Sequence, residues 1–202
     1  NLVMEEGIRH ITNGGGKFSG YANTTLTYRD IVWRHGGHFG VCYDAPRFDA
    51  KRDGNALDAL YLSSILLASG VHPYYSRLEN EIGKHTGFAL RYSEFIYNNA
   101  MRPLKSPESV ISFGGNPKLL EWKRLARTVD LGGDRRRLVI HLFNAPANDQ
   151  CMDNPALKLP PPLRDLPVTA VLPAGAMVDG AWLISPVPDA CQETLTVKMA
   201  GG

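Results

Sequence analysis

Four side chains in two short stretches offer the clearest chemistry in the sequence: Tyr43 and Asp44, and further along His72 and Tyr74. A tyrosine ring presents a flat apolar face with a hydroxyl group at its end, which suits the face of a pyranose ring. A neutral imidazole or a carboxylate can hydrogen-bond the hydroxyl groups of the same ligand. These four residues are therefore the candidate substrate-binding residues, although tyrosines equally suit packing in a core.

Paired carboxylates elsewhere in the sequence would be a second kind of chemistry, and one reaction that such pairs catalyse is hydrolysis of a glycosidic bond. Retaining enzymes hold two carboxyl groups about 5.5 Å apart, one to attack the anomeric carbon and one to protonate the leaving oxygen. Asp44 could form such a pair with Glu79 or Glu81. Asp44 also stands two residues before Pro46, where an aspartate commonly caps a turn, and both glutamates lie in a polar stretch typical of a solvated loop. No catalytic pair is assigned from the sequence.

Other site chemistries have weaker support. His35 and His38 are three residues apart, but no cysteine or carboxylate stands at a metal-binding spacing beside them, so no metal is predicted. The stretch 13–17 (NGGGK) is similar to a phosphate-binding loop, yet the Ser or Thr that should follow its lysine is missing, which favours a flexible turn. A GxSxG motif for a serine nucleophile is also missing. We predict no cofactor.

Composition limits the class of protein. The chain has 202 residues, 44% hydrophobic and 21% charged, which is typical of a folded soluble protein, and its 20 Gly and 14 Pro favour turns over a helical bundle. A net charge of +2 is too small for nucleic-acid binding by counterion release. No apolar run reaches the roughly 20 residues that span a bilayer. Three widely spaced cysteines indicate no disulfide framework, although one pair such as Cys151 with Cys191 stays open, so the compartment is unassigned.

The first half of the sequence has an α/β pattern, and this pattern predicts where the candidate residues lie. The apolar run 38–43 predicts a buried strand that ends at Asp44, and leucines at helical spacing predict a helix that stops at Gly70. The stretch 71–75 follows as a strand and loop, and 86–101 is predicted as a second helix with an aromatic stripe that suits a core. Because ligands bind where parallel strands end, this order would place the candidates beside a ligand.

The second half has a different pattern. Two prolines within 102–107 break any continuing helix, so we predict two domains, at 1–107 and 108–202. Short apolar runs separated by Gly, Pro, Asn and Asp are typical of an antiparallel β-sandwich. The predicted strands are 110–113, 122–129, 138–143, 168–172, 181–184 and 194–197. The predicted fold class is thus α/β plus all-β.

Five segments carry a resemblance to a known family: 40–43 (GVCY), 68–72 (ASGVH), 91–97 (RYSEFIY), 138–144 (LVIHLFN) and 172–186. In this order they resemble the C-terminal part of a barrel-type glycoside hydrolase with its trailing β-sandwich. The closest family is glycoside hydrolase family 66, the dextranases and cycloisomaltooligosaccharide glucanotransferases. The resemblance implies a partial (β/α) barrel segment, a role on α-glucan, and a position for His72 near the family's substrate-contacting histidine.

The departures from the family shape the expected function. A full (β/α)₈ barrel needs roughly 250 residues, so residues 1–107 would supply only its last part. The family's aspartate nucleophile and glutamate acid/base have no counterpart here. We therefore expect a fragment or subunit of a glycoside hydrolase that is inactive as this chain alone, with an oligo- or polysaccharide and the rest of the barrel or another subunit as partners. The alternative is a noncatalytic carbohydrate-binding or structural subunit of a larger assembly.

Overall fold

The computed structural model describes residues 2–6, 17–43, 55–75, 86–149, 158–186 and 191–199. Helices and strands alternate through the first half, and strands dominate the second. The elements are β1 (Leu2–Glu6), α1 (Phe18–Arg34), β2 (His38–Tyr43), α2 (Asn55–Ser69), β3 (His72–Tyr75), α3 (86–91), α4 (Ser93–Ile96), β4 (Arg102–Pro103), α5 (Pro107–Val110), β5 (Ile111–Phe113), α6 (Trp122–Leu125), β6 (Ala126–Gly132), β7 (Arg135–Ile140), β8 (Val168–Ala170), β9 (Trp182–Ser185) and β10 (Cys191–Thr194).

A parallel sheet in the order β1-β2-β3 forms the first layer. Parallel neighbours need a crossover, and α1 and α2 supply the helices of the two crossovers. Each helix ends at a glycine with a left-handed backbone, Gly36 at φ +70° and Gly70 at φ +68°. The following residue returns a hydrogen bond to a carbonyl five residues earlier, 3.0 Å from Val71 N to Leu66 O, as in a Schellman motif. The predicted strand at 38–43 and the helix ending at Gly70 are confirmed.

Helix α1 has a buried stripe at helical spacing that the sequence analysis did not identify. The stripe includes two polar side chains, Thr25 and Arg29, among apolar ones such as Phe18 and Leu26. Positions 18, 21, 22, 25, 26 and 29 recur as expected for one helix face. This face packs on the parallel sheet and on α2.

The helix predicted at 86–101 is shorter and broken. Its described part consists of α3, a turn at Tyr92, and α4, and the chain is irregular from residue 97. Phe88 and Tyr92 of the predicted stripe are core and form a second small cluster with Ile96 and with Leu67 of α2. Phe95 packs against this cluster half-buried, and Asn99 at the end of the predicted stripe is exposed.

Three antiparallel sheets make up the described part of the second half: β4-β6-β7, β5-β8 and β9-β10. Strands form in or next to each predicted segment, with two differences. Residues 122–125 are a helical turn that leads into β6. The last described strand begins at Cys191 rather than Thr194, because it pairs with β9 from Cys191 opposite Ser185 to Thr194 opposite Trp182.

The main core joins side chains from both sides of the boundary predicted at residue 107. Phe18 of α1 contacts Phe143 with ring centroids 5.5 Å apart, and Tyr61 of α2 lies 5.7 Å from the same ring. Leu125 of α6 is buried in this cluster too. The domain division itself stays a prediction. The described residues thus form a mixed fold of helices and sheets without a closed barrel, and none of their helices is long and apolar enough to cross a bilayer.

Candidate functional site

The carboxyl ends of the three parallel strands lie at one edge of the sheet. Glu6 of β1 is opposite Cys42 of β2, Cys42 is opposite Tyr74 of β3, and Tyr43 is opposite Tyr75. Two of the candidate residues, Tyr43 and Tyr74, therefore occupy neighbouring strands at this edge. Their positions follow from the backbone register.

Three predicted acidic residues fall outside the described part of the chain. Asp44 follows the last residue of β2 in sequence, and Glu79 and Glu81 lie between β3 and α3. The suggested pairing of Asp44 with either glutamate stays a prediction.

His72 is the first residue of β3 and is opposite Gly40 of β2. Its ring stacks on Tyr97 with centroids 4.4 Å apart and an angle of 12° between the planes. The ring of His38 meets it edge-on at 5.9 Å. Burial and the neighbouring His38 lower the pKa of His72, which favours a neutral imidazole. His72 thus lies at the amino end of its strand, two residues before Tyr74.

His35 and His38, whose spacing could suggest a metal site, have different surroundings in the structure. His38 contacts His72, while His35 is exposed at the end of α1. Within the described ranges, no three His, Cys, Asp or Glu side chains are grouped so that they could share an ion.

The amino end of α1 is capped from far along the chain. Lys17 is the N-cap residue and its side chain makes no capping hydrogen bond. Instead, Ser19 donates to the carboxylate of Asp149 from its backbone N at 2.7 Å and from Oγ at 2.6 Å. A carboxylate at a helix amino end is favoured by the free N–H groups and the helix dipole. Because this position is filled by a side chain of the protein, the glycine-rich stretch before Lys17 gains no support as a phosphate site.

Sequence reasoning missed a buried pair of arginines at the carboxyl end of α2. Arg29 donates to the carbonyl of Ser69 at 3.2 Å. Arg127, from β6, donates to the carbonyl of Ala68 and, at 3.2 Å, to that of Ile96. Both side chains are about 1% exposed. The pair thus binds the carbonyl groups at the negative end of the helix that leads into β3.

The charges around this arginine pair do not balance. Asp30 accepts from Arg29 at 2.6 Å and from Arg124 at 2.7 Å. Arg127 has only carbonyl oxygens and the sulfur of Met101 as acceptors among the described residues. Burial and the nearby Arg29 lower the pKa of Arg127 to about 9. The Trp33 ring offers partial compensation, because the guanidinium carbons of Arg29 and Arg127 lie 4.6 and 5.3 Å from its centroid.

His141 lies in the same electrostatic environment. Burial, followed by repulsion from Arg127, lowers its pKa to about 3. Its Nε2 atom is buried without a hydrogen-bond partner among the described residues. A neutral imidazole beside two guanidinium groups avoids adding a third buried positive charge.

Comparison with known proteins identifies no relative. The chain matches no protein-family model, no curated protein and no solved structure. The resemblance to glycoside hydrolase family 66 is therefore neither supported nor refuted by these comparisons.

Proposed function

We propose that this chain is a carbohydrate-active protein, the C-terminal portion of a (β/α)-barrel glycoside hydrolase followed by a β-sandwich, and that it binds α-glucan. The saccharide would lie at the carboxyl edge of the parallel sheet, against Tyr43, Asp44 and Tyr74, while His72, at the amino end of β3, would lie outside this contact. The catalytic acids would come from polypeptide other than this chain, so the chain alone would bind without cleaving.

The observation that carries this proposal is the order of the parallel strands. Consecutive parallel strands joined through helices, in the order β1-β2-β3, are the arrangement from which a (β/α)₈ barrel is built. Sites in that fold lie at the carboxyl ends of the strands, where Tyr43 ends β2 and Tyr74 lies on the neighbouring strand β3, one register position away. Aromatic rings at such an edge suit a pyranose face.

A noncatalytic carbohydrate-binding subunit is the second candidate. Two partly buried carboxylates of the described residues have structural partners: Asp30 binds two arginines, and Asp149 caps α1. Neither is available to attack an anomeric carbon or to protonate a leaving group. These two carboxylates therefore add no acid pair to a chain whose sequence assigns none, which favours binding over hydrolysis.

A binding experiment tests the proposal. Isothermal titration of the full chain with isomaltooligosaccharides should show saturable binding, while cello-oligosaccharides, as the β-linked comparison, should bind more weakly. Tyr43→Leu and Tyr74→Leu should each weaken binding about tenfold, because aliphatic side chains lose the flat aromatic face. Phe113→Leu replaces an aromatic ring on β5 and is the matched control, which should bind as the wild type does.

Two results would contradict the proposal. The first is that no saccharide binds to the folded chain, and the second is that Phe113→Leu weakens binding as much as the tyrosine variants do. An assay of reducing ends separates the two candidates. Hydrolysis that disappears in Asp44→Asn supports an enzyme, whereas binding without release of reducing ends supports the noncatalytic subunit.

A further inference from the structure

A proline-rich segment, residues 158–164 (KLPPPLR), lies at the surface outside the helices and strands. A proline ring fixes φ near −65°, and a residue that precedes a proline is restricted to ψ of roughly +120 to +160°. Both restrictions act on Pro160 and Pro161, because each is a proline followed by another proline. These dihedral angles are those of a polyproline II helix, so the centre of the segment has that conformation.

Two hydrogen bonds hold the proline-rich segment at the period of that helix. The carbonyl of Lys158 accepts from the backbone N of Ala147 at 2.9 Å. The carbonyl of Pro161 accepts from Nδ2 of Asn144 at 2.8 Å. The two acceptors are three residues apart, which is about one turn of polyproline II, so both carbonyls point to the same side. The segment is therefore held in this conformation by the protein itself.

The side chains of the proline-rich segment are mostly exposed. Leu159 retains 69% and Leu163 46% of their full exposure, and Pro162 between them is exposed too. A cation flanks this apolar stretch at each end, Lys158 and Arg164, and both are exposed. Arg164 has no ion-pair partner among the residues that the structure describes. The segment thus offers an apolar ridge between two positive charges.

We propose that the proline-rich segment is a docking site for a partner protein with an aromatic-lined groove and an acidic rim, of the kind that SH3 domains have. Three consecutive prolines have no backbone N–H group, so the segment cannot be added as a strand to an open sheet edge. A groove that binds polyproline II reads its shape and its apolar rings instead. Because the conformation is already fixed, binding loses little chain entropy.

The period of the helix predicts which side chains enter the groove. With about three residues per turn, Leu159 shares an edge with Pro162, and Pro160 shares one with Leu163. Pro160 is half-buried, so the edge of Leu159 and Pro162 is the more open one. Carboxylates on the rim would pair with Arg164, since a guanidinium group forms strong charge-assisted hydrogen bonds with them. This inference does not depend on the proposed binding of α-glucan.

Titration of the full chain into a panel of isotope-labelled SH3 domains with acidic rims, observed by NMR, tests the docking site. At least one domain should show saturable shifts at its groove, and a proline-rich peptide that this domain binds should compete. Pro162→Ala and Arg164→Glu should each weaken binding about tenfold, through loss of a ring and through charge repulsion. Pro173→Ala removes an exposed proline elsewhere and is the matched control, which should bind as the wild type does.

Several results would overturn this proposal. They are no binding by any domain of the panel, shifts outside the groove, no competition by the peptide, and equal weakening in Pro162→Ala and Pro173→Ala. Peptide competition uses the wild-type chain, so it decides the case even if a variant misfolds. A chain that binds saccharide but none of the domains would overturn the docking site and leave the proposed function intact.

Discussion

Arg127 is a buried cation whose acceptors are backbone carbonyls rather than a carboxylate. It reaches Ala68 at the end of α2 and Ile96 at the end of α4, so one side chain from β6 joins three elements that are distant in sequence. Its planar group has several donors in fixed directions, which a lysine lacks. The two carbonyl groups depend on it for their hydrogen bonds.

Loss of this side chain should therefore destabilise the fold strongly. Arg127→Met leaves the carbonyls of Ala68 and Ile96 buried without these donors, and we expect the free energy of unfolding to fall by about 3 kcal/mol. Arg127→Lys should recover little of this loss, because an ammonium group cannot reproduce the fork. Urea denaturation measures both. Arg136→Met, at an exposed position of β7, is the control, and its free energy of unfolding should stay within about 0.5 kcal/mol of the wild-type value. Equal losses of stability in Arg127→Met and Arg136→Met would contradict this account.

His141 should make stability depend on pH. Its pKa in the folded protein is lowered to about 3, against an ordinary value of 6.5, so between these values the unfolded chain binds a proton that the folded chain does not. The free energy of unfolding therefore decreases as the pH falls below 6.5. His72, whose pKa is also lowered, contributes in the same direction.

Urea denaturation at several pH values checks this expectation. From about pH 6.5 to about pH 5, His141 should cost the wild type about 2 kcal/mol of stability. His141→Gln should flatten the slope by that amount, while His35→Gln, at an exposed position, should leave it unchanged. An unchanged slope in His141→Gln would show that this imidazole is not the cause.

At the scale of elements, the end of α2 shows how closely a helix terminus can be packed. A Cβ atom on Gly70 would lie 2.8 Å from the Ile96 carbonyl oxygen and 2.9 Å from Nη1 of Arg127. Gly115 has the same left-handed backbone, at φ +72°, but nothing within 4 Å of the added atom. Comparing substitutions at the two glycines therefore separates the cost of backbone strain from the cost of steric overlap at Cβ.

Alanine at these two positions should have unequal effects. Gly115→Ala should cost about 1 kcal/mol, the strain of a left-handed alanine. Gly70→Ala should cost at least about 2 kcal/mol more, because the new methyl group displaces Ile96 or Arg127 as well. Thermal unfolding followed by circular dichroism measures both. Equal losses of stability in the two variants would mean that the atoms around Gly70 move aside at no energetic cost.

The sequence predicted α2 but not α1, and the reason lies in what their buried faces contain. Leucines and a stop at Gly70 make the α2 pattern visible. The buried face of α1 includes Thr25 and Arg29, which resemble surface residues until the partners of Arg29 are known. The buried positions of α1 do recur at helical spacing. A search for periodic apolar residues misses them, because part of the stripe is polar.

The candidate site shows the same limit. The strand position of Tyr43 could be predicted because it ends a local apolar run, and that of Tyr74 because its segment directly follows the helix stop at Gly70. The arginine pair could not, since Arg29 and Arg127 are 98 positions apart in sequence and converge only when β6 reaches the end of α2. Local patterns carry no information on such long-range contacts.

For the molecule as a whole, the shared core predicts one cooperative unfolding unit. Phe143 follows the last strand of the β4-β6-β7 sheet, yet its ring packs against Phe18 of α1 and Tyr61 of α2. Phe143→Ala should cost about 3 to 5 kcal/mol and should speed hydrogen exchange in α1 and α2 as well as in β6. Leu142→Ala, at the exposed neighbouring position, is the matched control and should affect neither helix. Exchange that changes only in the antiparallel sheet would contradict a single unit.

The contact between Ser19 and Asp149 imposes a sequence of events on biosynthesis. The two residues are 130 positions apart, so the ribosome completes the amino end of α1 long before its cap exists. Until residue 149 has been made, Ser19 lacks the carboxylate that accepts its two hydrogen bonds. A nascent chain halted before residue 149 thus carries a frayed first helical turn, open to proteases and chaperones.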